Sequence, residues 1–279
     1  MRLRTLLTGS LAAAALAACD SARDAGQGSK GANAPAGALA VNTSQRTVLR
    51  VVGRDTLSDS AYIVRLVPEP DGDAVAFVFA DPERRIHAGL GIAQHDSASA
   101  QLLWPDSVTT VWWGGPHAIS FSTETGRGAY VVVDVHAKEA KVAPPDSARQ
   151  TPPTRADTAT AIATAAAHDA AERRAIAFLD SLHVQPTGRP QGGAALRYEV
   201  RSVLMARGGR FGAFYASATD SAGRRVNPAW FIIDPRSGAV AQVDEVVGPA
   251  SELPERAGGW TETTFVFAKR LGLYETVVR

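Results

Sequence analysis

The chain has 279 residues, of which 45% are hydrophobic and 20% charged. That balance excludes a disordered acidic protein and a polytopic membrane protein, and it leaves room for one or two ordinary domains. Lys and Arg number 29 against 28 Asp and Glu, a net +1, so no overall basic field points to nucleic acid as a partner.

Arg2 and Arg4 precede an apolar run, Leu6 to Ala18, that is too short to span a bilayer as a stable anchor. The run ends in Leu16-Ala17-Ala18-Cys19, small residues that suit a signal-peptidase pocket followed by a thiol able to receive diacylglycerol. Residues 1–19 resemble a bacterial lipoprotein signal. The resemblance implies cleavage after residue 18 and acylation of Cys19. It also implies a location in the cell envelope, periplasmic or surface-facing, with the lipid bilayer as first partner. The alternative is an ordinary secretory signal that happens to contain a cysteine. Cys19 is the sole cysteine, so an exported chain would otherwise carry one thiol with no partner, and no disulfide can brace the folded part.

Residues 19–40 are rich in Gly, Ala, Ser, Asn and Asp and read as a flexible tether. A second change of composition, over 141–167, places Pro144, Pro145, Pro152 and Pro153 among Ala, Thr, Asp and Arg, which predicts an interdomain linker. The two shifts divide the chain into a β-rich domain at 41–140 and an α+β domain at 168–279.

Within the first domain, strands are predicted at Thr47–Val52, Ala61–Val67, Ala74–Ala80, Ala100–Trp104, Thr109–Trp113, Ala118–Ser122 and Ala129–Val135. Val75-Ala76-Phe77-Val78-Phe79 is apolar on both alternating faces, which predicts a strand covered on both sides. In the second domain Asp169-Ala-Ala-Glu172 has capping-box spacing, and Ala171, Ala175, Phe178, Leu179 and Leu182 follow at helical intervals. A meander is predicted next, at Ala195–Ala206, Arg210–Thr219, Asn227–Asp234 and Ala239–Val246. Thr261–Leu271 is open between helix and strand. The expected fold class is mainly β with an α+β part: an antiparallel N-terminal unit, blade-like or sandwich, and a C-terminal helix packed on an antiparallel meander.

A repeat runs through the first domain. The stretch from Pro68 to Phe77 aligns with that from Trp112 to Phe121 at an offset of about 44 residues, close to the blade period of four-stranded repeats. Residues 60–136 resemble TolB-type β-propeller repeats, which implies docking of envelope proteins on blade-like sheets. Two blades cannot close a ring. The expectation is therefore a sandwich of blade-like sheets, or open faces covered by the second domain or another chain. Residues 168–247 resemble PepSY-like or cystatin-like modules through the piece from Trp230 to Val243.

The sequence contains no G-x-S-x-G, H-E-x-x-H, P-loop or C-x-x-C, so neither a catalytic assignment nor a cofactor is called for. Trp112, Trp113 and His117 lie close together; adjacent tryptophans on a strand point to opposite faces. Flat indoles beside an imidazole suit stacking of a sugar or aromatic ligand or anchoring of a partner, and the simpler expectation is that both indoles are core. Asp134 and His136, two apart, would share a face and could begin a metal site if their strand continues, with no third ligand identifiable. His87, His95 and His168 read as surface residues. From Glu172 to Arg225 there are nine Arg against four acids, a surface for anionic headgroups or an acidic partner, with Arg201 as a candidate contact; Arg197 and Arg201 share one strand face with Glu199, which pairs part of the charge. The leading expectation is a membrane-anchored envelope lipoprotein acting as a non-enzymatic binding or scaffolding module. The alternative is an envelope hydrolase or hydrolase accessory domain, with Asp134, His136 and His117 converging in a pocket.

Overall fold

A computed structural model describes residues 39–70, 72–115, 117–124, 129–136, 141–143, 155–183, 198–220 and 222–279. The signal, Cys19, nearly all of the tether, residues 144–154 of the expected linker, and residues 195–197 of the expected meander lie outside these segments.

In chain order the strands are β1 (Val41–Val48), β2 (Val51–Val52), β3 (Asp55–Thr56), β4 (Tyr62–Pro68), β5 (Val75–Asp81), β6 (Ile86–Ala93) and β7 (Ser99–Trp104). Then follow β8 (Val108–Gly115), β9 (Ala118–Thr123), β10 (Ala129–Val133), β11 (Lys141–Ala143) and the helix α1 (Arg155–His183). The remainder is β12 (Tyr198–Met205), β13 (Gly212–Thr219), β14 (Arg225–Ile233), β15 (Val240–Glu245), β16 (Gly258–Trp260), β17 (Thr264–Lys269) and β18 (Gly272–Val278). Among the described residues these strands form four sheets and no closed barrel: β3-β2-β7-β6-β5-β4, β11-β10-β9-β8, β12-β13-β14-β15 and β1-β18-β17-β16. Pairing is antiparallel except between β2 and β7.

The two-sided strands explain how the sheets stack. On β5, Val75, Phe77 and Phe79 face one core, shared with Val266, Ala268 and Leu273 of the fourth sheet. The alternate residues Ala76 and Val78 face another core, shared with Val111, Ile119 and Phe121 of the second sheet. The third sheet divides the same way: Phe214, Phe231 and Ile233 meet α1, while Tyr215, Trp230 and Ile232 meet Phe265 and Phe267 of the fourth sheet. Period-2 alternation of two apolar sets thus puts a core on each face. The faces run in the order second sheet, first, fourth, third, helix.

The fourth sheet joins the ends of the described chain. β1 pairs with β18 from Val41 opposite Val278 to Val48 opposite Gly272, and the amide of Leu49 donates to the carbonyl of Leu271 at 2.9 Å. This pairing crosses the expected division between 41–140 and 168–279, and so does the core shared by Phe77 and Val266. The open face foreseen for the blade-like sheets is covered by the last strands of the same chain. Polar and mostly exposed, β1 is a strand because β18 offers it an unpaired edge. The sequence places a run at Thr47–Val52 instead, and the structure breaks it at Leu49 and Arg50.

The helix begins at Arg155, well before the predicted capping box, and β11 also lies in the expected linker. The Ala-rich stretch from Ala156 to Ala167 has the highest helix propensity available and continues the helix N-terminally, so Asp169 is an interior residue. The helix covers the third sheet with Ala171, Ala175 and Leu179. Alternation along β12 is interrupted by a bulge at Arg201 between Val200 and Ser202. Tyr198 and Val200 before it, and Val203 and Met205 after it, all pack on the helix side.

β6 is a strand the sequence does not reveal, because Gly89 and Gly91 read as loop residues. They lie opposite Phe79 and Phe77, and a Cβ on Gly91 would stand 2.5 Å from Cζ of Phe77. The glycines are there to let two aromatic rings lie across the neighbouring strand.

Candidate functional site

One strand at the edge of each sheet turns towards a common centre. β4, β8, β12 and β16, each the edge strand of its own sheet, neighbour one another without forming a sheet and are tied by hydrogen bonds outside the ladders. The indole of Trp113 donates to the carbonyl of Val67 at 3.1 Å, and that of Trp260 to the carbonyl of Leu204 at 3.0 Å. The amide of Leu66 donates to the carbonyl of Arg256 at 3.0 Å. Between these strands and α1 lies a cavity of about 1050 Å3, to which all four contribute. Its apolar wall includes Trp112, Trp113, Trp260, Pro68 and Met205, and its polar groups include His168 and Arg207.

The adjacent tryptophans therefore have different surroundings, as their alternation requires. Trp113 packs against the core between the first and second sheets while also bordering the cavity. Trp112 is half-buried and opens onto the cavity from opposite Ser120. Both indoles are half-buried, so neither is full core, and of the two Trp113 is the one that packs against a core.

Arg201 lies elsewhere, at the bulge of β12. Its guanidinium is 2.9 Å from Glu199 and donates to the hydroxyl of Thr219 at 3.1 Å. Much of the surrounding positive charge is engaged in the same way, with Arg224 on Asp220 and Arg225 on Glu255. Arg189 and Arg197 fall outside the described residues. His168, half-buried where α1 borders the cavity, is 3.8 Å from Asp169 and close to Glu172, and His95 is paired with Asp96 at 2.7 Å.

His117 and His136 meet at a residue that sequence reasoning passes over. Glu69, at the end of β4, is 2% exposed. Its Oε1 accepts the backbone amide of His117 at 3.1 Å and stands 2.9 Å from that residue's Nδ1. Its Oε2 lies 3.2 Å from Nε2 of His136, yet has no aligned hydrogen bond. The two imidazoles make edge contact, with ring centres 4.5 Å apart. Asp73 Oδ1 is 4.0 Å from the remaining nitrogen of His136. Gly72 admits the carboxylate, since a Cβ there would fall on Glu69 itself. Among the described residues the basic side chains within pairing distance of Glu69 are these two histidines.

The predicted partner of His136 does not take part. β10 ends at Val133, and Asp134 adopts a left-handed φ of 59° in an exposed turn. The strand does not continue, so Asp134 and His136 share no face. His117 also has a left-handed φ, 56°, a conformation that costs free energy and recurs where side chains are held for binding. The sequence signal available for Glu69 is its place in the repeat: it lies in the hairpin between β4 and β5, and His117 in the matching hairpin between β8 and β9.

No protein-family model matches the sequence, and no curated protein matches it. A solved structure, the propeller of Dos1, is similar at 7% identity and a TM-score of 0.19, over 80% of this chain. The chain spans 55% of that propeller. At that TM-score the superposition does not establish a shared fold.

Proposed function

We infer that the protein is a lipid-anchored lipoprotein of the bacterial cell envelope. In this reading it acts as a non-enzymatic binding module and takes its ligand or partner segment into the cavity ringed by β4, β8, β12 and β16. One observation carries the binding reading. Three indoles, two on one strand, border a cavity of about 1050 Å3 whose polar groups sit among flat apolar surfaces. Predominantly apolar walls with fixed polar groups are the composition of binding clefts, and this open groove offers Trp112 as a flat surface on which a sugar or an aromatic ligand can stack. Anchoring rests on Arg2 and Arg4, the short apolar run, and Cys19 as the sole cysteine. No helix among the described residues is long and apolar enough to cross a membrane.

A second reading, envelope hydrolase or hydrolase accessory domain, draws on the convergence of His117 and His136, on Glu69 rather than on Asp134. Titration of soluble envelope glycan fragments against tryptophan fluorescence separates the two. The binding module gives a saturable change that Trp112→Ala abolishes, with the fragments recovered intact. Cleaved fragments would overturn it. Metabolic labelling with an alkyne fatty acid tests the anchor: label on the native chain and none on Cys19→Ala is expected, and an unlabelled native chain would contradict it.

A further inference from the structure

We propose that Glu69, His117 and His136 form a binding site for a divalent transition-metal ion of the Zn2+ class, which bridges the first and second sheets. One oxygen and one nitrogen from each imidazole lie within 4.8 Å of one another. Two imidazoles and one carboxylate are a donor set that Zn2+ favours, leaving a fourth position for water.

The carboxylate supplies a second, independent observation. Glu69 is almost completely buried, and its Oε2 has no hydrogen-bond partner although Nε2 of His136 is 3.2 Å away. A buried polar atom left in that state is costly unless something pairs with it. Two donors bound at 2.0–2.1 Å in a tetrahedron stand about 3.3 Å apart, so the Oε2–Nε2 spacing fits two atoms aimed at a shared ion better than at each other. Asp73 stands on the far nitrogen of His136, where metal-bound histidines commonly find a carboxylate that fixes the ring.

The placement gives the ion a structural role. Glu69 belongs to the β4–β5 hairpin of the first sheet, while His117 and His136 belong to turns of the second. The chain has a single cysteine and so no internal disulfide; a metal at this point would be a cross-link between neighbouring sheets.

The test uses the full chain, purified without a histidine tag, and Zn2+ alone. About one Zn2+ per chain should survive dialysis, and Zn2+ should raise the thermal midpoint. Glu69→Gln and His136→Asn should each weaken binding by more than about 100-fold, beyond the 10–100-fold expected of Asp73→Asn as an outer partner. His136→Asn, altering an accessible side chain, remains informative if Glu69→Gln fails to fold. Co2+ should give visible absorption bands that His136→Asn removes. The proposal is overturned if no Zn2+ is retained, or if retention is unchanged in both Glu69→Gln and His136→Asn. It is also overturned if binding is lost instead in His168→Ala, which alters the cluster on α1.

Discussion

Oε2 of Glu69 and Nε2 of His136 stand 3.2 Å apart on two different sheets. The contact exists because the repeat places equivalent hairpins side by side. Pro68 to Phe77 spans the end of β4, its turn and β5, and Trp112 to Phe121 does the same for β8 and β9. The tip of the first hairpin brings Glu69 to His117 of the second, and the turn after β10 adds His136. A buried acid thereby marks the seam between the first and second sheets, beside the cavity that Pro68 and Trp113 border.

The adjacent tryptophans should separate stability from binding. Trp113→Ala removes packing against a core and the bond to Val67, and should cost about 2–3 kcal/mol in denaturant unfolding. Trp112→Ala should cost roughly 1 kcal/mol while abolishing ligand-induced fluorescence change. Equal losses of stability would show that both indoles are core.

Gly91→Ala should destabilise the protein by about 1–3 kcal/mol, as overpacking does. The new methyl would stand 2.5 Å from Phe77, which is fully buried between the first and fourth sheets and cannot retreat. Urea titration at neutral pH measures the cost. An unchanged midpoint would contradict the cross-strand packing of ring on glycine.

Asp81 is fully buried and should govern part of the acid sensitivity. Burial disfavours its charge, but the Ser58 hydroxyl and amide, the Arg84 amide and the Arg84 charge outweigh that, and hold its pKa below the usual carboxylate value. The sign follows from that depression. Asp81 binds a proton more readily in the unfolded chain, so its contribution is full above the unfolded pKa of about 3.9. It is lost as pH falls through the lower folded value. Asp81→Ala should cost about 2–4 kcal/mol at pH 7, and its stability should vary less with pH below about 4. Thermal midpoints measured from pH 7 down to acid test both parts.

Deleting residues 39–48 should expose the edge of β18 and lower the thermal midpoint, with association seen by size-exclusion chromatography. An unaltered midpoint and a monomeric profile would show that β1 does not close the fourth sheet in solution.

The two-sided strand β5 was legible, because period-2 alternation of two hydrophobic sets has few other readings; β13 and β14 were placed as meander strands, but the core on the second face of their sheet was not foreseen. What escaped prediction depends on partners distant in sequence. β1 is polar and is a strand only through β18; β6 hides behind glycines whose purpose is the rings of Phe77 and Phe79. The bulge at Arg201 shifts the face of β12, and a one-residue insertion leaves no mark on composition. At the candidate site, Trp112, His117 and His136 were recognisable by residue type. Glu69 was not, since burial of an acid between two prolines shows only when the neighbouring sheet is in place. Asp134 was drawn in by spacing alone, and the left-handed turn at that residue removes it.

In the proposed function, Trp112 and the surrounding cavity hold an envelope component. The direct test is mild crosslinking of the full chain in its native cells, purification, and mass spectrometry, run in parallel on the native chain and Trp112→Ala. One component should be recovered in stoichiometric amount with the native chain and lost with the variant. Recovery of nothing, or of the same component at the same level from both, would contradict it.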